Sequence, residues 1–173
     1  MRLAALWDRL GGISDSDSLR ALEDDPSEVE EISPLESLIK HGLIALRLYE
    51  LSFDRGHHHR AVKSLKEPRV RFSDFPWAHY AIGMAYARGP EVQIPHQIGY
   101  RHRMVHALSL AEGWARTELR RAVELDLTLA DAALELAALG LASHSHRTLE
   151  AAREALLTVI EVGAGGLQAW VAL

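Results

Sequence analysis

Ten histidines and no cysteine set the range of chemistry open to this 173-residue chain. Without thiolates there is no disulfide framework, no cysteine nucleophile and no thiolate metal site. His57, His58 and His59 share a predicted turn, and His144 and His146 share another. Neighbouring histidines on a turn bind metal adventitiously, whereas a dedicated zinc site needs three or four convergent ligands and a second shell. His102 and His106 are four residues apart, which on a helix puts both on one face, and His96 is nearby. The residues between the pair are Arg103, Met104 and Val105, so the H-E-x-x-H pattern is missing. A metal-dependent enzyme using His96, His102 and His106 is one alternative. The expected reading is surface or loop histidine, with no metal and no cofactor.

Other residues that could carry chemistry lack the context that it needs. "GAGG" at 163–166 follows a helix rather than a strand and fits neither Gly-rich phosphate-binding spacing, so it reads as a helix stop. Ser145 lies between two histidines but outside any nucleophile-elbow pattern. Arg55, Arg60, Lys63, Lys66, Arg69 and Arg71 cluster over 55–71 and could contact RNA or an acidic partner. The net charge of −5 favours a solvated face there, answering the chain's own acidic stretch.

The elements that would hold these residues are helical. Hydrophobic content of 48% and charged content of 25% are globular values, and no segment alternates with the period of a strand. Residues 1–33 are read as an acidic, partly ordered arm with one or two short helices. Ser33, Pro34 and Glu36 make a capping box that opens a helix running to about Phe53, with Gly56 as its stop. A shorter helix over 59–66 ends near Pro68. Pro76 opens the next helix, "PWAHYAIGMAYA", closed by Gly89-Pro90. Residues 90–107 read as an irregular insertion before a helix over 108–126. Thr128 and Asp131 suggest a capping box for "ADAALELAALGLA", and Leu149, Ala152, Leu156 and Ile160 stripe one more helix. "LQAWVAL" begins another apolar run.

Helix pairs call for a search for internal repeats. Gly56 and Gly89 are 33 residues apart, and helix starts near Gly42 and Pro76 are 34 apart, the period of the tetratricopeptide repeat. "AHYAIGMAYARG" resembles the first helix of that repeat, with His79 in place of the usual Trp, Ile82-Gly83 as its Leu-Gly pair and Tyr86 as its Tyr. "ARTELRRAVELDL" resembles the second helix through Ala115, Leu119 and Ala122. Weaker units are suggested by Leu48, Tyr49, Ala61 and Leu65, and by Leu136, Ala137, Ala152 and Leu156. The resemblance implies an all-α solenoid of antiparallel helix pairs over 34–173, with an insertion at about 90–107 and an incomplete last repeat. Gly83 would then mark a close approach of the paired helix.

In that family the first helices line a groove for peptides. Carried over by motif, the groove residues here are Leu43, Leu46, Glu50 and Phe53, then Trp77, Tyr80, Met84 and Arg88, then Asp131, Leu134 and Ala138. These matched positions lack the Lys and Asn used by family members that clamp a terminal carboxylate, so a peptide with apolar anchors fits better. The resemblance therefore implies a non-enzymatic protein-interaction or scaffold module, read as the repeat region of a longer bacterial protein. Its rivals are the histidine-based metalloenzyme and an RNA contact through 55–71. The N-terminal apolar stretch is too short for a secretory signal, and a cytoplasmic chain is expected. Self-association is expected through the edge formed by Trp170, Val171 and Leu173. If the histidines are not a metal site, replacing His102 and His106 together leaves the melting temperature unchanged with or without chelator. A zinc-dependent stabilisation lost in the double variant would reinstate the metal reading.

Overall fold

The structure, a computed structural model, describes residues 2–23, 33–90, 101–164 and 166–173, and the side chains of 2, 101–109, 167 and 168 lie outside that description. Every regular element among the described residues is an α-helix, and none of these helices is long and apolar enough to cross a membrane. The chain divides into two compact units, Met1–Ser73 and Asp74–Leu173.

The first unit holds α1 (Arg2–Gly12), α2 (Ser16–Glu23), α3 (Pro34–Ser52) and α4 (Arg55–Arg71). The acidic N-terminal segment folds here through its few leucines: Leu3, Leu10, Leu19 and Leu22 are buried, and α1 and α2 both pack on α3. Asp15 opens α2 by accepting the Ser18 backbone N–H at 2.7 Å, and that bond holds its carboxyl below the usual range. Arg47 of α3 fixes the end of α1. Its guanidinium donates to the Gly11 and Ile13 carbonyls at 3.5 and 3.1 Å and to Glu50 at 2.8 Å. A cation at a helix C-terminus satisfies free carbonyls and opposes the helix dipole.

The capping box at Ser33 forms as the sequence requires, each partner's side chain accepting the other's backbone N–H at 3.2 Å. The end of α3 differs from expectation. Phe53, at φ 54°, terminates the helix, and Asp54 immediately caps α4, accepting the Gly56 N–H at 2.8 Å. Gly56 is therefore in the first turn of α4 rather than at a stop. Pro68 likewise lies inside α4, because its ring removes a single backbone donor near the helix end and the Phe72 N–H still reaches its carbonyl at 2.9 Å.

The second unit holds α5 (Pro76–Ala87), α6 (Arg101–Leu125), α7 (Ala130–Ser143), α8 (His146–Glu161) and α9 (Gly166–Ala172). The α6 helix packs on α5, α7 and α8, while α9 rests on α7 and α8. It starts seven residues before the expected 108, since every Pro and Gly of the interruption precedes Arg101; residues 91–100 lie outside the described residues. Thr128 does not cap α7. The Asp126 carboxylate takes its N–H at 2.9 Å and its hydroxyl at 2.6 Å, and Leu129 becomes the cap residue without a side-chain bond. The α7–α8 link copies the α3–α4 link: His144, at φ 52°, ends one helix and Ser145 caps the next.

One contact recurs in three helix pairs. A Cβ on Gly42 would overlap the Leu65 side chain. On Gly83 it would lie 2.8 Å from Leu119 Cγ and 3.2 Å from its backbone nitrogen, and on Gly140 2.8 Å from Leu149 Cδ2 and 3.1 Å from its nitrogen. In α3–α4 and α7–α8 the Gly and Leu are equidistant from the two-residue turn, so each pair folds back on itself. The equivalent glycines are thus Gly42, Gly83 and Gly140, not Gly56 and Gly89 as the 33-residue match suggested. Gly83→Leu is expected to lower stability by about 1–3 kcal/mol through overpacking. Gly113→Ala, on α6 with no heavy atom within 4 Å of the added Cβ, should raise it by about 0.5–1 kcal/mol. Urea unfolding measures both. A midpoint for Gly83→Leu at or above wild type would show that the approach is not close.

Candidate functional site

The eleven candidate groove residues fall into three groups. Leu43 and Leu46 of α3 and Trp77, Tyr80 and Met84 of α5 are buried, so they stabilise the fold and offer no free surface to a partner. Arg47 lies one turn beyond Leu43 and reaches α1, so this side of α3 faces the N-terminal helices. The Trp77 and Tyr80 rings meet edge to face, 5.2 Å apart, rather than pointing to different sides. Glu50 and Arg88 are half-buried in ion pairs, with Arg47 and with Glu135 of α7. Phe53, Asp131 and Ala138 are exposed, and Leu134 is half-buried.

Measured from the three equivalent glycines, α7 differs from α3 and α5. The residue after the glycine is Leu43 in α3 and Met84 in α5, both with no accessible surface. In α7 it is Leu141, which is 66% exposed. Asp131, Leu134, Ala138 and Leu141 recur at i, i+3, i+7 and i+10 and line one side of that helix. Leu141 escaped sequence reasoning because α7 is apolar nearly all round, and its register was taken from the match at Leu136 and Ala137 rather than from Gly140. Glu135, on the same helix, holds Arg88 of α5.

Two buried polar groups join helices of this unit. His79 Nδ1 and Glu118 Oε2 are 2.6 Å apart, with side chains 5% and 9% exposed, pinning α5 to α6 one turn from the Gly83–Leu119 approach. Thr148, fully buried at the start of α8, donates to Glu112 of α6 and accepts from Arg116 at 3.2 Å, while the Ser145 hydroxyl accepts its backbone N–H at 3.4 Å. Tyr86 also crosses this junction, its ring centroid 5.5 Å from that of Trp114.

Among the described residues no group of three or more His, Asp or Glu is placed to hold a metal. His96, and the side chains of His102 and His106, lie outside the described residues. At the C-terminal edge, α9 buries Ala169, while Trp170 is 62% exposed and Val171 and Leu173 are exposed too. In comparisons with known proteins, no family model matches the chain, and no curated protein or solved structure matches it either.

Glu118→Ala leaves the His79 ring facing a cavity without its carboxylate and is expected to cost about 3 kcal/mol or more. His79→Leu combined with Glu118→Leu removes both polar groups and should cost well under the sum of the single changes. Strict additivity in urea unfolding would show that the two side chains do not act as a pair.

Proposed function

We propose that the chain is a non-enzymatic interaction module of tetratricopeptide-like, antiparallel helix pairs, which binds a peptide with apolar anchors along α7. The observation that carries this reading is the recurrence of one Gly–Leu approach in three helix pairs, with the position after the glycine filled in two of them and open at Leu141 in the third. A repeat stacks by covering each first helix with neighbours, so an uncovered first helix is where a further helix or a peptide can pack. The α7 stripe supplies apolar contact at Leu134, Ala138 and Leu141, with Asp131 at its start to orient a basic residue of the partner. Trp77, Tyr80 and Met84 act by holding α5 rigid and do not touch the partner.

Peptides selected by phage display on the purified chain test this reading. Bound peptides should carry apolar anchors and bind about tenfold more weakly to Ala138→Arg and to Leu141→Glu, with unchanged helical circular dichroism. The reading fails if no peptide is selected, or if the selected peptides bind both variants as tightly as wild type.

A further inference from the structure

The α4 helix opposes the charge of the rest of the chain. Its six Arg and Lys residues against one Glu give it a net charge of +5, so the remainder carries −10 of the total of −5. Ala61, Leu65 and Pro68 bury one side, while Arg55, Arg60, Lys63 and Lys66 are exposed on the other. Lys63 and Lys66 follow Arg55 at eight and eleven residues, which returns them to one side of the helix. Arg55, Lys63 and Lys66 make no ion pair with another described residue, and the single acid, Glu67, is paired with Arg71 at 3.1 Å.

We infer that this face docks a short acidic segment of a partner protein. Three cations held on one helix, with no ion pair to another described residue, make a strip of positive potential with a fixed spacing. The 17 residues of α4 extend about 25 Å, the length of roughly eight residues of extended chain. Lys63 lies about 12 Å along the helix from Arg55 and Lys66 about 4.5 Å further on, while side chains on one face of an extended peptide recur about every 6.6 Å, or about 13 Å for two such steps. An acidic segment of that length meets the cations alone. A longer polyanion, such as RNA or an anionic bilayer, extends beyond the roughly 25 Å of α4 and leaves part of its charge unmatched by these cations. The strip is on α4 of the first unit and the stripe on α7 of the second, and the two share no residue, so the two readings stand or fall independently.

The probe is a fluorescein-labelled octapeptide of alternating Glu and Ala, titrated with the full chain and followed by anisotropy at low salt. The Glu peptide is expected to bind, its Gln counterpart is not, and raising the salt should weaken the complex. The double substitution Lys63→Glu with Lys66→Glu should weaken binding at least about tenfold, since it removes two attractions and adds two repulsions. Arg55→Gln with Lys63→Gln should weaken it less, and Arg153→Glu, an exposed position on α8, should leave it within about twofold. Absence of binding, or equal binding by the Lys63/Lys66 variant, overturns the proposal. So does tighter binding of an octamer of uridine or of phosphatidylserine vesicles than of the peptide, which would assign the strip to nucleic acid or to a membrane surface.

Discussion

The interaction on which the rest of this structure depends is the absence of a side chain at three places. Gly42, Gly83 and Gly140 each let a leucine of the next helix come closer than any Cβ would allow. A glycine in a helix costs about 1 kcal/mol relative to alanine, so it is retained where helix-to-helix contact gains more than that. The approach also sets the rotation of each helix about its axis. Once Gly83 faces Leu119, the residue four before it, His79, must face α6 as well, and Glu118 is there to receive it.

Around these apolar approaches the polar contacts select one arrangement among the several that dispersion alone would permit. Arg47 reaches α1, Arg88 reaches α7, and Thr148 meets both Glu112 and Arg116. Each links elements distant in sequence, and each involves a group that is costly to bury without its partner. The paired His79 and Glu118 are the most enclosed example. An apolar pair would fill the same space, but it would hold the two helices in register less strictly.

The helical class, the Ser33 capping box and the close approach at Gly83 were all legible in the sequence, because each depends on local spacing or on one residue type. One or two short helices were expected at the N-terminus and two form, but their bounds and their packing on α3 were not legible, because ten acids within 1–36 mask the spacing of Leu3, Leu10, Leu19 and Leu22. The α3–α4 turn was misplaced for another reason, whereas the turn expected at His144 and His146 forms there. Glycine is the expected residue at positive φ, yet Phe53 and His144 occupy those positions, each followed at once by a side-chain cap that fixes the next helix. The candidate groove was carried over at spacings of 34 residues from α3 to α5 and 54 from α5 to α7, whereas Gly42, Gly83 and Gly140 are 41 and 57 residues apart. Helix and connection lengths vary too much here for motif offsets to find the open side of α7.

The unequal connections between paired helices also order events during folding. Gly140 and Leu149 are nine residues apart across a two-residue turn, whereas Gly83 and Leu119 are 36 apart. Two doublings of separation add about 1.2 kcal/mol of closure entropy, so the α7–α8 hairpin is expected to nucleate before α5 docks on α6. A mutation at Gly140 should then act mainly on the folding rate and one at Gly83 mainly on the unfolding rate, with the reverse pattern in stopped-flow kinetics arguing for late closure of the short hairpin. The long-range pair, joined last, is then the one whose loosening sets how long the native chain survives.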